Sequence, residues 1–240
     1  MRNFSRLLSF VLILLSMAAV HGQAQSSQEP AFIHRLAEAA QAGGVDLVAA
    51  YVVPTSLQPL RYENKYQWFG PDGRAVQQYL KHYPVPGEPA IAGTSLPEAV
   101  SARFGLAAGA ICYDYDYPSV GLAHARLGAG LIALPSSDWR GIDPIHTQMA
   151  AVRAIEGGFA ILRSTRMGLS AGIDAHGRLR AWLSSNESPE RLLLVTLPVQ
   201  HLVTPFSRLG NWVVLPFALL TAYSLGVCVL RRLGRRRLSP

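Results

Sequence analysis

Three apolar runs of strand length, residues 45–53 with Asp46 as the one charge, 106–112 and 129–134, alternate with stretches whose apolar residues recur at helical spacing. A strand that is apolar on both faces has to be covered on both, so it belongs inside a layered fold. The helical stretches supply the cover. Phe32, Ile33, Leu36, Ala39 and Ala40 repeat every three or four positions and stop at Gly43-Gly44, a glycine signal for a helix end. Residues 119–127 and 146–156 read as further helices, and residues 159–163 and 171–174 as further strands. Gly70-Pro71-Asp72-Gly73 joins residues 66–69 to 75–79 as a hairpin, and Asp174-Ala175-His176-Gly177 is a second turn. Alternating elements of this kind predict an α/β fold with covered sheets. The 240 residues suffice for one such domain, placed at residues 30–205, with small appendages.

The appendages are the two ends. Half of the residues are hydrophobic and 15% are charged, against about a quarter charged in an ordinary soluble domain. Arg2 and Arg6 precede an apolar run over residues 7–20, followed by Gly22-Gln23-Ala24. This run is short for a span, which takes roughly 20 residues. Residues 1–24 are therefore expected to be a signal peptide cleaved behind Ala24 or an uncleaved signal anchor. Residues 212–230 carry no charge and are followed by Arg231, Arg232, Arg235, Arg236 and Arg237. A transmembrane helix at 209–230 and a basic cytoplasmic tail at 231–240 follow, with the middle domain on the far side of the membrane. The net charge of +7 equals Arg2, Arg6 and the five tail arginines. A near-neutral middle lacks the basic face that nucleic acid needs, so no nucleic-acid partner is expected. Cys228 lies in the apolar span, which leaves Cys112 as a lone thiol in an exported domain.

Three segments carry chemistry. The first is Tyr79-Leu80-Lys81-His82-Tyr83-Pro84-Val85-Pro86-Gly87-Glu88; the second is Ala110-Ile111-Cys112-Tyr113-Asp114-Tyr115-Asp116-Tyr117-Pro118. The third begins Pro135-Ser136-Ser137-Asp138-Trp139 and continues through His146, the stretch from Arg153 to Gly158, Arg163-Ser164-Thr165 and Gly168-Leu169-Ser170. In this order the segments resemble the carbon–nitrogen hydrolase (nitrilase) superfamily. Asp138-Trp139, His146 and the stretch from Arg153, with a C-terminal span, are similar to the catalytic domain of bacterial apolipoprotein N-acyltransferases, here N-terminally shortened. The resemblance implies a nitrilase-type α-β-β-α sandwich, a Glu–Lys–Cys triad and a bacterial inner-membrane location with the domain outside the cytoplasm. It leaves open whether the first strand–helix unit of that fold is present.

The implied chemistry suits these residue types. A cation such as Lys81 favours the thiolate of Cys112, and with the N–H of Tyr113 it would stabilise an oxyanion, where one donor is commonly worth about 3–4 kcal/mol. A carboxylate has to take the thiol proton. Glu29, 52 positions before Lys81, is the candidate base, and a helix-start carboxylate is the other reading of it. The resemblance implies that Glu88 orients Lys81 or the substrate, and that Asp114 and Trp139 shape the site. His146, Arg153 and Glu156 are expected to form a structural network. Seven scattered histidines give no metal-ligand pairing, and neither metal nor cofactor is expected. The expected partner is an amide or a lipid-linked acyl substrate at a membrane, and the oligomeric state stays open. The alternative is an inactive relative that serves as an anchored interaction module.

Overall fold

The computed structural model describes residues 11–15 and 22–236. The basic start of the predicted export signal and Arg237 of the predicted tail lie outside the described residues.

Two sheets form the centre. The first runs β1 (Val11–Leu15), β2 (Asp46–Leu57), β3 (Leu60–Phe69), β4 (Ala75–Leu80), with β5 (Ala90–Ile91) beside the free end of β3. β2, β3 and β4 are antiparallel, whereas β1 lies parallel to β2, with Val11 opposite Asp46. The strand β1 falls inside the apolar run expected to direct export. Helix α1 (Gly22–Gly43) connects it to β2. The second sheet has the order β11 (Leu179–Ser184), β10 (Leu169–Ile173), β9 (Ala160–Arg166), β8 (Leu131–Ser137), β7 (Gly105–Gly109), β6 (Val100–Ala102). Its centre, β7–β8–β9, is parallel, with α2 (Pro118–Arg126) and α3 (Ile145–Gly157) as the crossovers that parallel strands require.

Strand alternation assigns the layers. In β2, Leu47 and Ala49 pack on Leu36 and Ala40 of α1, while Val48 and Ala50 face the second sheet. In β8, Ile132 and Leu134 pack under α2 and α3 with Val120, Ala150 and Ala154, while Leu131 and Ala133 face the first sheet. The order of layers is helix, sheet, sheet, helix, as the resemblance implied. The interface between the sheets sets large rings of one against small residues of the other: Tyr66, Trp68 and Tyr79 against Ala107, Ala133 and Ala160. Such alternation of large and small lets two layers interdigitate without voids.

Residues 185–204 run back over the second sheet. Val195 lies against Gly172, and Leu202 N–H donates to Gly158 O at 2.7 Å. Thr204 then caps α4 (Pro205–Leu209), and a 3-10 turn leads into α5 (Leu215–Arg236). Among the described residues, the stretch Pro205–Cys228 is the one helix long and apolar enough to cross a membrane.

A Cβ on Gly109 would stand 2.5 Å from Tyr66 Oη. Tyr66 cannot retreat, because its ring stacks on Tyr79 and its hydroxyl donates to Gln77 Oε1 at 2.7 Å. Gly109→Ala should therefore cost about 1–3 kcal/mol by overpacking, read as a lower urea midpoint, whereas Gly44→Ala, with nothing within 4 Å of the added carbon, should show only the smaller cost of its positive φ.

Candidate active site

Lys81 follows the last residue of β4, and its backbone is fixed on both sides: its N–H donates to Asn64 O at 2.8 Å and its carbonyl accepts from Gly93 N at 2.7 Å. The side chain is buried, and Nζ donates to Glu88 Oε2 at 2.7 Å. The loop that delivers Glu88 is written in the sequence. Val85-Pro86-Gly87-Glu88 closes with Glu88 N–H on Val85 O, with Gly87 at φ 86°, and a turn with proline second and a positive-φ glycine third is type II. The Glu88 carboxylate also accepts from Val85 N–H, Tyr62 Oη and Asn64 Nδ2. Burial opposes its ionisation, but the Lys81 and Val85 hydrogen bonds outweigh this and hold its pKa below the ordinary glutamate value.

Cys112 comes from the other sheet. The chain leaves β7 and turns into a 3-10 helix, Cys112–Asp116, with Cys112 at φ 51°. That left-handed conformation is strained for a residue with a side chain. Asp114 holds it: one carboxylate oxygen accepts from Ile111 N–H at 3.0 Å and Tyr79 Oη at 2.8 Å, the other from Tyr83 N–H at 2.7 Å. Asp114 thereby ties the turn of Cys112 to the strand and loop that flank Lys81. The Cys112 sulfur lies 3.6 Å from Ser137 O at the end of β8.

Lys81, Glu88, Cys112 and Trp139 line one cavity of about 240 Å³, whose remaining wall is largely apolar. Of the residues singled out in the sequence, these four are brought together. Tyr113 and Asp114 are not among the lining residues, and the Tyr113 ring stands edge-on to Tyr117. Glu29 is not among the lining residues. Its carboxylate accepts from Tyr51 Oη at 3.0 Å and pairs with Lys65 Nζ at 2.9 Å, and of these two partners Tyr51 lines the cavity.

Two expectations need correction. The thiol of Cys112 is not poised as a thiolate at rest: burial pushes its pKa up, and Lys81, committed to Glu88, only partly offsets this. The expected network also divides in two. Arg153 pairs with Glu156 at 2.8 Å on α3, while His146 joins Asp116, Asp138 and Arg163. Arg163 was the missed member. A charged side chain inside the apolar run of β9 must be paired where it is buried, and that signal was present in the sequence. The Cys112 sulfur, an Asp138 oxygen and a His146 nitrogen lie within 4.8 Å of one another. They could offer donors to a metal ion, but the Arg163 guanidinium, 2.9–3.1 Å from both Asp138 oxygens and from His146 Nδ1, already supplies positive charge there.

Residues 13–203 match the family described as Carbon-nitrogen hydrolase. The chain belongs to that family. Among curated relatives it is similar to the apolipoprotein N-acyltransferase of Azotobacter vinelandii, 36% identical over 129 residues, covering 52% of this chain and 24% of the relative. The enzyme of the same name from Shewanella oneidensis is 32% identical over 144 residues, 58% of this chain and 27% of the relative. The chain thus spans about a quarter of the length of these relatives. Among solved structures it resembles a mutant amidase from Nesterenkonia sp. AN1 with acrylamide added at its active-site cysteine. That likeness has a TM-score of 0.64 and 22% identity, over 79% of this chain and 78% of the other. A carbon-nitrogen hydrolase from Helicobacter pylori G27 gives a TM-score of 0.58 and 18% identity, over 67% and 65%. These carbon-nitrogen hydrolase structures agree with the sandwich described above.

Both Glu88 and Asp138 are held below the ordinary carboxylate range. For Asp138, burial raises the pKa, and the His146 hydrogen bond and the Arg163 charge lower it by more. Depressed carboxylates stabilise the fold above their unfolded values near pH 4, and that contribution is lost as pH falls through the lower folded values. The urea midpoint should accordingly drop on acidification below about pH 4, and Glu88→Gln should make the drop shallower. Asp114→Ala, which strands three donors in the core, should cost about 3 kcal/mol or more at pH 7.

Proposed function

We propose that this carbon-nitrogen hydrolase forms a thioester on Cys112 with the acyl group of an amide or acyl substrate and passes it to water or an amine. The observation that carries the reading is the meeting of Cys112, Lys81 and Glu88 on one cavity of about 240 Å³. Lys81 is the cation beside the thiol, and Glu88 is the carboxylate among the lining residues. Because burial keeps the thiol protonated at rest, its proton leaves as sulfur attacks. The sulfur–carbon bond forms, the thiol proton passes to the Glu88 carboxylate, and the oxyanion is stabilised by Lys81 Nζ and the N–H of Tyr113. Collapse breaks the bond to the leaving group, which takes the proton from Glu88. Water or an amine then attacks the thioester, again losing its proton to Glu88, and the thiol is restored.

The wall of Ala50, Val52, Val85, Ile111 and Pro135 favours an uncharged, apolar acyl group. The N-acyltransferase names of the relatives support transfer to an amine, and the amidase neighbours support hydrolysis. We read the apolar helix and its arginines as an anchor in a bacterial inner membrane, with residues 30–205 on the extracytoplasmic side. A reporter fused after Pro205 should then behave as exported and one fused after Pro240 as cytoplasmic; the reverse pattern defeats this topology.

The base is tested by kinetics on an amide or acyl donor. Lys81→Met and Glu88→Gln should each lower kcat by about 10²–10³-fold, the usual scale for losing an oxyanion donor or a general base, while Glu29→Gln should stay within about threefold of the wild type because Lys65 and Tyr51 hold it outside the wall. A collapse of activity in Glu29→Gln with Glu88→Gln unaffected would return the base to Glu29. An inactive wild type with every amide and acyl donor would favour the anchored interaction module.

A further inference from the structure

The network of His146, Asp116, Asp138 and Arg163 has more order than a fold needs. His146 Nδ1 lies 2.7 Å from Asp138 Oδ1 and Nε2 lies 2.9 Å from Asp116 Oδ1. A doubly protonated ring donates to both carboxylates, whereas a neutral ring whose Nδ1 accepts from Arg163 Nη2, 3.1 Å away, donates to Asp116 alone. Burial and the neighbouring Arg163 charge work against a charged ring, but the hydrogen bonds to Asp116 and Asp138 outweigh them and raise the His146 pKa. The carboxylates sit at informative places. Asp116 ends the 3-10 turn that Cys112 begins, and Asp138 follows Ser137, whose carbonyl touches the Cys112 sulfur. Arg163, from β9, donates to both Asp138 oxygens and through Nη1 to Thr147 Oγ1, Thr165 Oγ1 and Leu169 O. The groups facing His146 are therefore Asp116 from the turn, Asp138 from the end of β8, Arg163 from β9, and the thiol itself.

Asp114 fixes the beginning of the nucleophile's turn, and His146 fixes its end. We propose that His146, bridging Asp116 and Asp138 through its two ring nitrogens, is a positioning residue that clamps the Cys112 turn to the end of β8 and neutralises the Asp138 charge beside the sulfur. This rests on Cys112 being the nucleophile. Asp138 lies within 4.8 Å of the sulfur, and its unbalanced charge would disfavour the thiolate. With His146 and Arg163 against Asp116 and Asp138 the group is neutral, and loss of the His146 proton leaves one negative charge in excess next to the thiol.

Thiol reactivity reads this without any need for a substrate. The full-length protein is labelled with iodoacetamide from pH 6 to 9.5, with modification at Cys112 and Cys228 separated by peptide mass spectrometry. While the thiol is mostly protonated, the Cys112 rate should rise about tenfold per pH unit, except for a flatter step above pH 6.5 where His146 loses its proton. His146→Gln should label Cys112 about tenfold more slowly at pH 6.5, the effect of roughly one unit in thiol pKa, and should show no step. Should that variant fail to fold by near-ultraviolet circular dichroism, Asp116→Asn, at the less buried end of the bridge, should weaken the clamp and shift or flatten the step. A folded His146→Gln that labels at the wild-type rate with the wild-type profile would overturn the positioning role alone; so would an Asp116→Asn protein identical to the wild type. A wild-type Cys112 unlabelled at every pH would overturn the nucleophile reading, and this inference with it.

Discussion

A residue with a side chain held in the left-handed region costs on the order of 1–2 kcal/mol, and the site depends on Cys112 staying there, at φ 51°. The turn cannot relax because its neighbours are committed. Ile111 N–H is bound to the Asp114 carboxylate, and Asp114 N–H to Ile111 O at 3.0 Å. The same carboxylate holds Tyr79 and Tyr83, on either side of Lys81. One buried anion therefore orients the nucleophile and the segment that carries its cation. Burial raises the Asp114 pKa, and the hydrogen bonds it accepts work against that rise; a buried carboxylate with so many donors costs far less than an unpaired one.

Lys81 and Cys112 come from different sheets, so their meeting is a property of the sandwich and not of either sheet alone. The sheets approach closely because the facing strands of the second are rich in alanine, at Ala107, Ala133 and Ala160, and because Gly109 leaves room for the Tyr66 ring. Tyr66 stacks on Tyr79, which hydrogen-bonds Asp114. Packing between the sheets is thus continuous with the polar contacts that shape the site.

Much of this was legible in the sequence. The apolar runs at 47–53 and 129–134 are strands because their length and lack of interruption leave no solvated face, and Gly43-Gly44 ends α1. Lys81, Glu88, Cys112 and Trp139 were named from wording and order, and they share one cavity. What was missed has physical causes. The strand β1 sits in a run that is equally apolar as an export signal, and hydrophobicity alone does not distinguish the two. The strands β5 and β6, of two and three residues, are too short to carry a period. Glu29 reads in the sequence as either a base or a helix-start carboxylate, and the contacts that engage it, Tyr51 and Lys65, are 22 and 36 positions away, too far for a local pattern to reveal. The thiol looked activated because the sequence shows a lysine but neither the burial of the sulfur nor the glutamate that holds the lysine.

The central claim is that Cys112 carries the acyl group, and it is tested most directly by catching that group. The protein is mixed with p-nitrophenyl hexanoate, quenched in acid within seconds, digested and examined by mass spectrometry, with and without a primary amine added before the quench. The expected result is a hexanoyl adduct on the Cys112 peptide, well above that on Cys228, which disappears when the amine is present and is strongly reduced in Lys81→Met. A protein that turns over the ester with no adduct on Cys112, or that acylates Cys112 no faster than Cys228 and holds the group against the amine, would contradict it.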